Sequence, residues 1–559
     1  MSYDPEPTYP LREGAVDVGY EALAKDGARD GIKVIAVDGS STVAWDRAAA
    51  ALRSAFTPLV GEVHIVDMRR HALPWAEVER LTTDPALADD PSFARIPAAD
   101  LRELLGELPD PSAGGPLTLV VGPGAALVPH DLLWWLDLPK ANSLAAVRRG
   151  QASNLGQPPG EIGTEKRLLF VDWPLLDRHK RAHAHRIDRL VDVTEPTVPR
   201  SLTGDSLRAS LSWLSGRPFR TRPTVLPGPW GGQWLRTALG IETDEANLAW
   251  SYELITPESG ILFGDGRTME VGFELLLAAH PERVLGTAVA ERFGATFPIR
   301  FDYLDTMEGG HLSVQCHPGE RYARETFGLD YTQEETYYVM DTTPGGSVFL
   351  GLREDADVDA FREEAERAES AGVAFDPDRY LVRHPAERHR LYLIPPGTPH
   401  ASGAGNAVLE ISATPYLYTL RFYDWLRRDG DGRLRPVHVD HAFANLDRSR
   451  NGARVAELVP APTEVREGHG WRELLLGRHP ELFFAVHRLD FTDEVDDDTR
   501  GRFHVLNLVE GEVIEIVTAS GDVHPLSFAE TIVVPAAVGA YRLRRIRGRS
   551  CKVVKALVP

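Results

Sequence analysis

Gln315 and His317 stand two residues apart in HLSVQCHPGERYARE (311–325), a run with strand character. Side chains at that spacing leave a strand on the same face. An amide and an imidazole so placed can supply half of a site for a divalent ion such as zinc, which takes about four N, O or S ligands at roughly 2.0–2.2 Å. Two further candidates lie downstream: Glu335 in TQEETYYVMD, ahead of a β-rich run, and His400 in LYLIPPGTPHASG, after a Pro-Gly turn. Gln315, His317, Glu335 and His400 on adjacent strands of a barrel would form an internal site with room for substrate or water. Cys316 alternates with these ligands and shares the face of Leu312 and Val314, which marks it as a core residue. A lone QxH is more often a polar strand edge, and nineteen histidines make chance pairs common.

Placing such a site requires a β scaffold, and the region around it has that texture. WSYELI, GSVFLGL, HRLYLIPPG and NAVLEISA are short alternating runs separated by Gly and Pro, the pattern of a sandwich or barrel. Residues 268–293 and 355–371 read as helical interruptions. The chain ends in a second β region, with strands divided by EG, SGD and PA turns. The N-terminal third differs. IKVIAVD, VGEVHIVDM, LTLVVGP and KRLLFVDW are buried-strand signatures with helical stretches between, which predicts a parallel sheet flanked by helices. The expected organisation is multidomain: an α/β domain over 1–200, a connector over 201–228, a metal-binding β-barrel domain with a helical insertion over 229–445, and a second β-barrel over 446–559.

The order of several motifs is similar to that of the zinc-dependent class I phosphomannose isomerase family of cupins. LSVQCHP, EETYYV and IPPGTPHA resemble its metal strand, glutamate and histidine turn. PWGGQWL, NLAWSYEL, FPIRFDYLDT, LRFYDW and RPVHVDHAF resemble flanking elements in the same order, over about residues 225–559. The resemblance implies Gln315, His317, Glu335 and His400 as ligands of Zn²⁺ or another divalent transition metal. It also implies aldose–ketose isomerisation of a sugar or sugar phosphate through an enediol, with Glu410 of NAVLEIS as the base and Arg421 of LRFYDW stabilising negative charge. The chain departs from the pattern where the family usually carries lysines: Asp302 and Gln333 stand there, and ATPYLYT replaces an NSD element. These changes concern substrate and phosphate handling more than the metal. Arg300, on the strand face of Asp302, is a candidate replacement cation.

The N-terminal region resembles a degenerate uridine-kinase-like P-loop domain. After Gly39 it reads SSTVAW, without the second glycine and lysine of GxxxxGK[ST], so no ordinary ATP hydrolysis is expected. Asp38 and Ser40 are read as structural. HAH (183–185) lies in a helical context where i and i+2 diverge, and is read as a solvated basic face. DEVDDD (493–498) is read as a solvated loop, since it lacks calcium-loop spacing.

A net charge of −21 argues against nucleic-acid binding. Two cysteines make no disulfide scaffold, and the absence of a long apolar run or an apolar leader predicts a cytoplasmic protein with no membrane span. No lysine occurs between Lys180 and Lys552, so arginine takes the cationic roles there. The competing reading is a non-catalytic, sugar-binding or regulatory cupin with a pseudo-kinase domain. A bifunctional kinase–isomerase is disfavoured by the broken P-loop.

Overall fold

In the computed structural model, which describes residues 3–111, 115–158, 160–256, 258–429 and 432–559, the run IKVIAVD forms a strand, Val34–Gly39 (β1), buried from Ile35 onward. It lies at the centre of a parallel sheet with Val63–Asp67 (β2), Leu117–Val121 (β3), Leu132–Asp137 (β4) and Arg189–Asp192 (β5), in the order β2-β3-β1-β4-β5. Arg200–Thr203 (β6) adds antiparallel to β5, and Asp17–Val18 pairs beyond it. A Cβ on Gly39 would come within 2.2 Å of the Leu136 carbonyl oxygen, so the close approach to β4 needs glycine. The helix Trp45–Val60 (α1) buries Trp45, Ala48, Leu52 and Phe56, a single stripe at helical spacing. That stripe packs on Ile35, Val37, Leu119 and Trp134. Each large apolar side chain so buried contributes roughly 1.5–3 kcal/mol.

Two local expectations are corrected here. KRLLFVDW is not a strand: the chain is helical from Glu165 to His183, with a π-helical turn at Leu168–Asp172. Leu168, Val171 and Leu175 are buried at spacings of three and four, a pattern that a short apolar run shares with a strand. The same helix is only partly a solvated basic face. Lys180 is buried between Asp137 and Glu274, and His179 is buried against Asp38.

Contacts divide the chain into two compact units. The α/β unit comprises Thr8–Trp213 and Gly260–His280. Within it Thr8–Tyr9 pairs parallel to Leu262–Phe263, whose strand pairs in turn with Met269–Gly272. The Pro-, Gly- and Arg-rich stretch 199–232 carries ordered elements: β6, the helix Gly204–Leu214, and a strand at Thr224–Leu226.

The β unit comprises Met1–Pro7, Leu214–Ser259 and Pro281–Pro559. Its first half holds Trp250–Leu254 (β7), Ile299–Asp305 (β8), Val314–Cys316 (β9), Glu335–Thr342 (β10), Leu391–Ile394 (β11), His400–Ser402 (β12), Asn406–Ala413 (β13) and Leu420–Tyr423 (β14). One sheet runs β11-β10-β13-β8-β7 and then Thr224–Leu226. The other runs Leu381–Pro385, Ser347–Leu352, β12, β9, β14. A helical insertion, Val358–Ala371, is capped by the Asp357 carboxylate and ends at Gly372 in the left-handed conformation. The second half pairs a six-stranded sheet with a four-stranded one around Leu489, Leu506, Ile514, Leu543 and Val553. DEVDDD belongs to this sheet pair: Glu494–Asp498 is a strand with Val495 and Asp497 buried, not a solvated loop. Its alternation was hidden by the uniform acidity of the run.

Candidate metal centre

Strand register brings the expected ligands together. Gln315 on β9 lies opposite His400 on β12 and, across its other edge, opposite Arg421 on β14, so the three share a face. On the facing sheet Glu335 lies opposite Ser412, which lies opposite Arg300. One row along, Tyr337, Glu410, Asp302 and Tyr252 are aligned across four strands.

The donor atoms converge. His317 Nε2 and His400 Nε2 lie 2.6 and 3.0 Å from Glu335 Oε2. Gln315 turns its amide nitrogen toward His400 Nε2 at 3.5 Å, and its Oε1 accepts from Ser313 Oγ at 2.9 Å. Glu335 and His400 are fully buried, and Gln315 and His317 nearly so. His317, Glu335 and His400 thus form a group with the spacing to hold a metal ion. The chemistry of this donor set fits a cation. His400 Nδ1 donates to the Thr398 carbonyl at 2.9 Å, which leaves the Nε2 lone pair directed at a carboxylate oxygen. Two lone pairs facing each other in a buried site call for a positive centre between them. Glu335 Oε1 is also buried and accepts no hydrogen bond among the described residues. Burial opposes ionisation of Glu335, but His317 and His400 outweigh it and hold its carboxyl well below the usual range. Burial keeps the His317 imidazole below its ordinary value, the neutral form that ligates metals.

Glu410 and Arg421 have different surroundings. Glu410 comes within hydrogen-bonding reach of Glu335, and burial raises its carboxyl well above the usual range even though Arg300 opposes the shift. Its Oε1 accepts from Ser412 Oγ at 2.8 Å and from Arg300. Arg421 is half-buried, forms no ion pair among the described residues, and donates from Nη1 to the Pro436 carbonyl at 3.0 Å. Burial, reinforced by Arg435, pulls its pKa down to about 10.

Other residues complete the site. Arg300 is not a free replacement cation: it pairs with Asp302 Oδ1 at 3.1 Å and with Glu410, and lies over the Tyr416 ring. Burial, only partly offset by Arg300, raises Asp302 to about 6. The Gln333 amide lies 3.2 Å from His317 Nδ1, the Pro415 carbonyl and Arg300 Nη2. The Tyr337 hydroxyl is buried without a partner among the described residues. The alternation of RFD (300–302) and of QEE (333–335) carries the signal for the first two, once register is known.

Comparison with known proteins gives two kinds of match. Residues 19–216 match the family described as Domain of unknown function (DUF8485). The chain is also similar to mannose-6-phosphate isomerases. It is 25% identical to that of Streptococcus mutans over 284 residues, 51% of this chain and 82% of the relative. It is 23% identical to mannose-6-phosphate isomerase ManA of Bacillus subtilis over 335 residues, 59% of this chain and 96% of the relative. The crystal structure of the Bacillus subtilis mannose 6-phosphate isomerase superposes with a TM-score of 0.50 at 20% identity, covering 61% of this chain and 99% of that one, a likeness of fold. No helix among the described residues is long and apolar enough to cross a membrane. Over about half its length this multidomain, sheet-rich chain is similar at low identity to mannose-6-phosphate isomerases, and its fold is like the cupin-type fold of phosphomannose isomerase.

Proposed function

We propose that the β unit is a metal-dependent aldose–ketose isomerase acting on a sugar phosphate through an enediol. The observation that carries this reading is the convergence of Gln315, His317, Glu335 and His400, with Glu410 one row away and Arg421 opposite Gln315. These four residues hold the cation, zinc or another divalent transition metal. When bound, it supplies Lewis-acid polarisation of the sugar carbonyl.

The chain's own groups then divide the remaining work. Glu410 carries the proton between C1 and C2, and its burial brings its proton affinity toward the working range of a general acid–base. Arg300 and Ser412 fix the orientation of its carboxyl. Arg421, a guanidinium without a carboxylate partner among the described residues, holds the negative charge of the enediolate or of the substrate's anionic group. The Tyr337 hydroxyl, on the row of Glu410, is placed to donate to a sugar oxygen.

Two measurements test this. Elemental analysis of purified protein should find stoichiometric divalent metal that Gln315→Ala and His317→Ala remove. Solvent deuterium should enter C2 of mannose 6-phosphate, and the same assay on free mannose ranks the two. Absence of exchange with every hexose and hexose phosphate tried sinks the isomerase reading.

A further inference from the structure

The α/β unit contains a cavity of about 380 Å³ whose lining residues follow the carboxyl ends of its central strands: Val43 after β1, Met68 after β2, Pro123 after β3. Open parallel sheets bind ligands at this edge, and a cavity of this volume is ligand-sized. Its chemistry selects against an anion. The backbone amides of Gly39, Gly124 and Ala126, at the same edge, point at the Asp38 carboxylate, at 2.7, 3.1 and 2.8 Å, and His179 contacts it at 2.8 Å. The amide cluster that elsewhere cradles a phosphate is therefore filled by the protein's own carboxylate. Behind the wall a second buried carboxylate, Asp172, accepts from Asn154 and the Leu155 amide. The charged residues of the wall are two carboxylates, Asp46 and Glu161, and two guanidiniums, Arg47 and Arg69. Arg69 is already held by Asp46 and Asp67. Two carboxylates against two guanidiniums leave the wall no net positive charge for an anion.

The remaining surface is mixed. Met68, Leu101 and Leu104 form an apolar patch, and the amides of Gln151 and Gln157 border it. Ile162, also on the wall, is 66% exposed, the most exposed of the large apolar side chains among the described residues. An apolar side chain left open beside an apolar cavity is the arrangement expected where a ligand completes the packing.

We propose that this cavity binds an uncharged, hydroxylated ring compound, the chemistry shared by a free monosaccharide and a nucleoside. Its apolar face lies on the Met68–Leu104 patch, its hydroxyl edge meets the amides, and Ile162 covers it.

The test uses the full chain and three probes, D-mannose, adenosine and inorganic phosphate, each followed by calorimetry and saturation-transfer NMR. One of the two neutral probes is expected to bind, and which one identifies the source. Ile162→Ser should weaken that binding about five-fold, and Ala44→Trp, which fills the cavity from an exposed position on its wall, should abolish it. Both positions are exposed, so unchanged thermal unfolding confirms that folding is intact. His400→Ala should leave the binding unchanged, which separates it from sugar held at the metal centre. Failure of both neutral probes overturns the proposal. So does binding that survives both cavity variants, or phosphate that competes with the neutral probe.

Discussion

The two halves of the β unit each bury a cluster of carboxylates and histidines, and the clusters are closed in opposite ways. In the first, Glu335 Oε2 faces His317 and His400, and its other oxygen accepts nothing among the described residues. In the second, Lys555 Nζ lies between Asp497 Oδ2 at 2.6 Å and Glu473 Oε1 at 2.9 Å. Arg466 binds both carboxylates, His487 Nδ1 meets Glu473 at 2.8 Å, and the Tyr541 hydroxyl meets Asp497. The second cluster carries its own cation. The first is short of one. Similar ligand types therefore read as structural or as metal-binding according to whether a lysine reaches between them.

This contrast can be broken by experiment. The largest effect is expected at the first cluster: His400→Ala should lose stoichiometric metal and, with it, isomerase turnover, beyond the roughly 10–100-fold cost of a change in the outer shell. Metal analysis and the exchange assay read it, and a variant that keeps both would make the two clusters alike. Next, Lys555→Met should leave buried carboxylates without their ammonium and cost about 3–5 kcal/mol of stability. Denaturant unfolding should show this while the metal content stays unchanged. Smaller again, Gln333→Leu removes the amide that meets His317 Nδ1 and holds the ring in place, and should weaken metal affinity by about 10–100-fold without unfolding the chain. Competition with a chelator of known affinity measures it.

The smallest effect is a pH dependence. Burial opposes ionisation of Glu473, but His487, Lys555 and Arg466 outweigh it and hold its carboxyl well below the usual range. A depressed folded-state pKa contributes stability above the unfolded value, near pH 4.3–4.5, that is lost as the pH falls below it. Unfolding midpoints should therefore decline on acidification below about pH 4.5. Glu473→Gln should flatten that decline; an unchanged slope would place the acid sensitivity elsewhere.

Which of these features were legible in the sequence follows from their range. Gln315 and His317 declare a shared face by a spacing of two, and Glu335 and His400 sit beside recognisable strand ends. The central strands of the α/β sheet are continuous apolar runs, and three of them, IKVIAVD, VGEVHIVDM and LTLVVGP, were readable as such. Other features depend on partners far along the chain. Asp497 is buried by Lys555, 58 residues away, and nothing local distinguishes it from Asp496 or Asp498. Gln333 matters because register aligns β10 with β13 and β8, and so brings its neighbours within reach of Arg300. KRLLFVDW failed for the opposite reason: its local signal fits helix and strand equally, and packing decides. The alignment of Glu410 with Asp302, and the commitment of Arg300 to both, likewise exist only once strands are paired.

The pairing of Thr8–Tyr9 with Leu262–Phe263 has a consequence for how the chain is made. On a ribosome the α/β unit cannot be finished when residue 213 emerges. Its last strands arrive only after Leu214–Ser259, which belong to the other unit, have been synthesised. Domains usually fold in order of synthesis, from the N-terminus. Here the first unit must wait with an open edge for a segment that lies about 250 residues beyond its start. A fragment cut at Trp213 should therefore be aggregation-prone, and one that also supplies Gly260–His280 in trans should recover.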